Sequence, residues 1–207
     1  MKKLKLATLS ACLLFPLGAF AAAADDLVAL LDGIKSLDTR FEQVIVDRDG
    51  TRMQTTTGQM QVMRPRQFRW HAVEPFEELV VSDGNTVWVY DVDLEQVLER
   101  PLGEAASETP ALLLSGDSSK ISEEFEVQLV EAKGRNMTFS LKPKSQEELF
   151  EVLEISFKGA LPSGMRLEDS LGQKTAFDFI KPKANVVLDA KQFTFVVPEG
   201  VDLIRHE

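Results

Sequence analysis

A chain of 207 residues with 23 basic and 33 acidic side chains has a formal net charge of −10. That balance argues against nucleic acid and against charge-driven binding to anionic lipid faces. A single cysteine, Cys12, excludes a disulfide framework or a thiolate zinc site, and two histidines, His71 and His206, give a catalytic triad or metal triplet little to build on.

Lys2, Lys3 and Lys5 precede a mostly apolar run, Leu6 to Phe20, and then the small residues Ala21 to Ala24. This is the pattern of a secretory signal peptide, too short to favour a membrane anchor. We therefore expect residues 1–24 to be the signal and 25–207 to be one domain. Leu9-Ser10-Ala11-Cys12 resembles a lipobox, but the apolar run continues well past Cys12, which favours ordinary cleavage. Cleavage removes the cysteine and three lysines, leaving 20 basic residues against 33 acidic ones. Stability must then come from packing alone.

Asp25-Asp26 followed by Leu27, Leu30, Leu31, Ile34 and Leu37 predicts an amphipathic helix of about a dozen residues. After Thr39 the period changes to that of strands. Phe41–Val46 ends in the turn composition Asp47-Arg48-Asp49-Gly50, and a long arm, Thr51–Arg64, follows. Further strands are predicted at 67–72, 78–81, 87–90 and 96–98. Thr109 as cap and Pro110 at the first helical position predict a short helix through Ala111, Leu112, Leu113 and Leu114, ended by Ser115-Gly116. Strand patterns resume with Phe125/Val127/Leu129, Met137/Phe139/Leu141, Leu153/Ile155/Phe157, Met165/Leu167 and Phe177/Phe179. Asp189-Ala190-Lys191 reads as one helical turn before Phe193/Phe195/Val197. The fold class is mainly β, with about nine to eleven antiparallel strands in a barrel or strongly curved sheet and short covering helices.

Several strands are apolar on both sides, such as Leu79/Val81 against Val80 and Trp88/Tyr90 against Val87/Val89. Either helices cover the second face, or the sheet curls around an apolar hollow. Eleven of the 13 phenylalanines lie beyond the signal, and Phe supplies apolar area without a polar group to satisfy. The expected lining of such a hollow is Met60, Val62, Phe68, Trp70, Leu79, Val81, Trp88, Phe139, Phe157, Phe177 and Phe179. One charge breaks the pattern. Arg64 continues the inward parity of Met60 and Val62, directly before Pro65. Pro65 suits a tight turn, so Arg66 belongs to the turn and faces water, while Arg64 closes the apolar row at the rim.

No G-x-S-x-G elbow, phosphate loop or H-E-x-x-H helix occurs, and the Asp-rich stretches at 47–50 and 91–95 lack the remaining positions of a calcium loop. The expectation is a non-enzyme, with no catalytic residue, metal or cofactor.

Arg64-Pro65-x-x-Phe68-Arg69-Trp70, then Pro75 and Leu79-Val80-Val81-Ser82-Asp83-Gly84-x-x-Val87-Trp88-x-Tyr90-Asp91, form a specific series. With Thr109-Pro110-Ala111-Leu112-Leu113-Leu114 and Leu188-Asp189-Ala190-x-x-Phe193-x-Phe195-x-x-Pro198-x-Gly200-Val201-Asp202, this series resembles the outer-membrane lipoprotein carrier proteins, the periplasmic LolA family. The resemblance implies an unclosed antiparallel β-barrel lidded by helices over a hydrophobic cavity. It implies a monomeric periplasmic carrier that takes lipoprotein acyl chains from an inner-membrane ABC transporter and delivers them to an outer-membrane receptor. It assigns Arg64 as the lid latch and Pro110–Leu114 as the lid helix. Ala111 departs from relatives that carry Phe there, so no Phe-specific lid contact carries over. The competing readings are a periplasmic barrel for a smaller apolar ligand without hand-over, and an assembly factor using a sheet edge.

Overall fold

The computed structural model describes residues 18–105, 114–145 and 150–205. Twelve strands form one sheet. They are β1 Ser36–Val46, β2 Arg52–Met63, β3 Gln67–Glu74, β4 Glu78–Asp83, β5 Thr86–Asp91, β6 Gln96–Pro101, β7 Phe125–Lys133, β8 Asn136–Pro143, β9 Phe150–Lys158, β10 Leu161–Asp169, β11 Lys174–Ala184 and β12 Asp202–Arg205. Their order is β12-β6-β5-β4-β3-β2-β1-β11-β10-β9-β8-β7, so the sheet does not close and β12 and β7 are its edges. The first eleven strands pair antiparallel with their neighbours, as expected. The twelfth corrects the strand count: β12 pairs parallel with β6, Asp202 opposite Gln96. Four residues without alternation carry little strand signal, so only tertiary pairing reveals it.

Helix α1 (Gly18–Asp32) runs through the expected cleavage boundary and stops before Ile34 and Leu37, which the helical pattern had included. Both remain buried, at 2% and 0% exposure, but Leu37 belongs to β1. Asn185, just past the end of the neighbouring strand β11, holds the junction. Its side chain accepts from the Lys35 N–H at 2.8 Å and donates to the Gly33 carbonyl at 2.9 Å. Two further short helices are α2 (Leu102–Ala105) and α3 (Ile121–Glu124).

The curl of the sheet follows from which residues share one cluster. Leu27 and Leu31 of α1, Met60 and Val62 of β2, Phe68 and Trp70 of β3, and Phe139, Ile155, Met165 and Phe177 from the far half all belong to a single buried core. Strands so far apart in sheet order meet only if the sheet wraps around them. Phe41 stacks on Trp70 with ring centroids 3.6 Å apart, and Phe177 meets Trp70 edge-on at 5.5 Å. Gly58 permits this stack. It lies opposite Phe41, and a Cβ there would sit 2.7 Å from the Phe41 ring and 2.1 Å from the His71 carbonyl oxygen.

The expected cavity residues divide between two faces. Met60 pairs with Trp70 and Val62 with Phe68, and all four lie on the inner face with Phe139, Phe157, Phe177 and Phe179. Leu79, Val81 and Trp88 do not join them. Leu79 lies opposite His71, Val81 opposite Arg69, and Trp88 opposite Val81, and directly opposed residues share a face. These three are on the outer side, while Val80 and Val87 point inward to the core. With both parities apolar, alternation alone had no means of choosing. Among the described residues no α-helix or second sheet covers the outer apolar face. The C-terminal stretch crosses it: a 3₁₀ turn, Ala190–Phe193, capped by Asp189, buries Phe193 completely. Phe195 then packs on Trp88 and Tyr90, with centroids 6.2 and 5.9 Å away. The Phe193/Phe195/Val197 alternation is therefore an extended strap outside the ladders, and β12 anchors its end. Trp88 Nε1 donates to Glu99 at 3.0 Å, and Arg205 Nε donates to the same carboxylate at 3.2 Å.

Candidate functional site

Arg64 immediately follows β2, where the inner row Met60–Val62 reaches the rim. Its side chain is 11% exposed. Burial of a guanidinium costs free energy unless its donors find acceptors, and here three elements supply them. Nε donates to the Leu114 carbonyl at 3.1 Å. Nη1 donates to Asp32 Oδ1 at 3.2 Å and to Ser118 Oγ at 3.3 Å. The Ser118 hydroxyl in turn donates to Asp32, closing a three-membered network. Nη2 is buried and has no hydrogen-bond partner among the described residues. Burial lowers the Arg64 pKa, and the Asp32 carboxylate and Asp117 work against that shift; the side chain stays charged, because an arginine does not deprotonate in this setting.

The backbone of the same turn makes a second tie. The Arg64–Pro65 peptide is cis and Arg66 has φ 62°. In that conformation the Arg66 N–H donates to the Ser115 carbonyl at 2.8 Å, and the Arg64 N–H donates to the Lys35 carbonyl at 3.0 Å. The Arg66 carbonyl accepts from the Ser82 hydroxyl at 3.1 Å. The Arg66 side chain is exposed, as expected. Two successive carbonyls, Leu114 and Ser115, are thus held by the Arg64–Arg66 turn, and Leu114 itself is 1% exposed in the core. Pro110, Ala111, Leu112 and Leu113 lie outside the described residues.

A polar cleft of about 650 Å³ opens beside this network, between the end of α1, the 64–67 and 83–85 turns and Gly116–Ser118. The Asp117 carboxylate at its edge accepts from the Ser119 hydroxyl and the Ser119 N–H, which hold its pKa below the usual value. On the inner side of β4, Glu78 lies opposite Asp91, and burial together with that neighbouring charge raises its pKa. Among the described residues no group of His, Asp or Glu is placed to hold a metal ion.

The sequence reading missed Asp32, Ser118 and the Arg66 amide. A signal for the first existed: an acidic residue at the C-terminal end of a helix opposes the helix dipole, so Asp32 needed a cation nearby. Ser118 and the Arg66 amide left no pattern to read.

The profile of the family described as "Outer membrane lipoprotein carrier protein LolA" matches residues 32–196. A protein of Alcanivorax borkumensis named outer-membrane lipoprotein carrier protein is 42% identical over 208 residues, covering 100% of both chains. One of the same name from Azotobacter vinelandii is 49% identical over 180 residues, 87% of this chain and 86% of its own. Among solved structures, a LolA-superfamily protein of Nitrosomonas europaea superposes with a TM-score of 0.51 at 13% identity, covering 84% of this chain and 98% of its own. At that identity the likeness concerns the fold.

Proposed function

The chain belongs to the outer membrane lipoprotein carrier protein family, and from that membership we infer that it ferries lipoproteins across the periplasm by holding their acyl chains. The observation that carries the reading beyond the family is the single apolar inner face. Residues from α1 and from both halves of an open sheet converge on it in one buried hydrophobic cluster. Such a face can exchange its contacts with α1 and the lid segment for contacts with alkyl chains at little polar cost.

The proposed cycle starts with the signal, residues 1–24, directing export and being removed. An inner-membrane ABC transporter loads the carrier, and an outer-membrane receptor takes the cargo from it. Met60, Val62, Phe68, Trp70, Phe139, Phe157, Phe177 and Phe179 line the cargo space, with Arg64 as latch and Pro110–Leu114 as the moving lid. Binding a dozen methylenes is worth about 10 kcal/mol. Opening must offset part of this. The charge-assisted bond from Arg64 to Leu114 contributes about 2 kcal/mol, the Arg66–Ser115 bond about 1, and exposure of Leu114 about 2. An opposing term near half the gain keeps cargo exchangeable, which hand-over requires. Family membership favours this reading over a smaller ligand held without hand-over.

The test uses energised inner-membrane vesicles containing a labelled lipoprotein and the purified chain from Asp25 onward. ATP-dependent appearance of the lipoprotein in the soluble fraction, in complex with the protein, is the expected result. Retention of all label in the vesicles refutes the reading.

A further inference from the structure

Four large apolar side chains stand in solvent along one end of eight neighbouring strands. Met53 lies at the start of β2 and is 61% exposed, Phe76 lies in the β3–β4 turn at 66%, Leu94 in the β5–β6 turn at 70% and Leu171 in the β10–β11 turn at 80%. Strands β6, β5, β4, β3, β2, β1, β11 and β10 are consecutive in the sheet, and these positions are at the strand ends opposite the 64–66 and 84–85 turns. A single exposed leucine is ordinary, but turns favour polar residues, and here the apolar tips come in joined pairs. The Val92 N–H donates to the Glu77 carbonyl at 3.2 Å, tying the turns of Phe76 and Leu94 together. The Gln173 amide donates to the Met53 sulfur at 3.6 Å, tying the turn of Leu171 to the start of β2. Two of the turns are also fixed from within. The Asp91 carboxylate accepts from the Leu94 N–H at 3.0 Å, and that of Asp169 from the Leu171 N–H at 2.9 Å.

Charge decides what such tips can meet. Residues 47–53, 74–78, 91–95 and 168–174 hold ten acidic side chains against three basic ones, and of the three Lys174 is already paired with Glu168 at 3.6 Å. A second copy of this chain would set like charge against like, and an anionic lipid face would repel this end in the same way. Resting on the carrier reading, we propose that this end of the sheet is a docking surface for a basic protein face with apolar sockets, carried by a partner that loads or unloads the protein. The acidic rim steers the encounter, and the four tips fill the sockets. The aspartate-held turns already fix the backbones of Leu94 and Leu171, so little ordering is lost on docking. None of the four tips belongs to the buried inner cluster, so the surface is presented alike by the empty and the loaded protein.

The test measures binding of the chain from Asp25 onward to three probes: the purified inner-membrane transporter, the purified outer-membrane receptor, and protein-free vesicles of phosphatidylethanolamine and phosphatidylglycerol. Wild type is expected to bind at least one of the two proteins and not the vesicles. For that partner, Phe76→Ser/Leu94→Ser and Met53→Ser/Leu171→Ser are each expected to weaken binding about tenfold, mainly through faster dissociation. Asp93→Asn/Glu95→Gln is expected to slow association about two- to fivefold at low salt and to flatten its salt dependence, with dissociation nearly unchanged. All three variants replace exposed side chains, so the melting temperature and the affinity for a fluorescent triacylated lipopeptide should stay at wild-type values. Unchanged binding by both serine variants overturns the proposal, and so does tip-dependent binding to the vesicles alone or no binding to either protein. Weaker binding that comes with an equal loss of lipopeptide affinity also overturns it. If the wild-type protein binds no lipopeptide, the carrier reading fails, and binding to the two proteins still decides the docking surface.

Discussion

Replacing Arg64 by leucine removes three side-chain bonds, of unequal weight. The Asp32 partner is 55% exposed, so that ion pair contributes little. The bond from Nε to the Leu114 carbonyl is part-buried and has a charged donor, worth roughly 1.5–3 kcal/mol. The Arg66 amide still holds Ser115, so the lid end is loosened, not lost. A loss of about 2 kcal/mol from the closed state makes the open one about 30-fold more accessible. Because closing competes with cargo, affinity for cargo rises by up to the same factor, and the equilibrium for passing cargo to a receptor falls by it. The assay is transfer of a labelled lipoprotein from preloaded carrier to purified receptor. Arg64→Leu is expected to load at least as well as wild type and to transfer at least tenfold less at equilibrium. Wild-type transfer by a variant with an unchanged circular dichroism spectrum refutes the latch.

Gly58→Ala should destabilise by about 1–3 kcal/mol, because the new methyl meets the Phe41 ring and the His71 carbonyl; denaturant unfolding measures it, and an unchanged midpoint contradicts the packing described. Phe193→Ala on the outer face should cost about 3–5 kcal/mol of stability, while the folded fraction keeps wild-type lipopeptide affinity. A selective loss of affinity would return Val81 and Trp88 to the cargo side. Glu78 has a raised pKa in the fold, so the folded state holds its proton more tightly than the unfolded chain does. Its ionisation therefore lowers stability as pH rises above the unfolded value of about 4.3, and the penalty is absent below it. Glu78→Gln should raise the melting temperature at pH 7.5 and leave it unchanged near pH 3.5; equal shifts at both contradict the assignment.

Local physics made much of this molecule legible. Turn residues separate alternating runs, and that fixed the antiparallel order of β1 to β6 and of β7 to β11, because a strand followed by a tight turn has one place to go. The parity of Met60, Val62, Phe68 and Trp70 named the inner face, since a half-buried strand exposes its polar positions. The same parity singled out Arg64 as a charge at an apolar rim. What remained depended on residues distant along the chain. Leu79/Val81 and Val80 are equally apolar, and only the strap carrying Phe193 and Phe195 determines that both faces of β4 are dry. Strand β12 exists because β6 offers an open edge. Asp32 and Ser118 meet Arg64 across 32 and 54 positions of sequence. Periodicity records which side of an element is apolar; it holds no information about what covers that side, or about which distant acceptor a buried cation reaches.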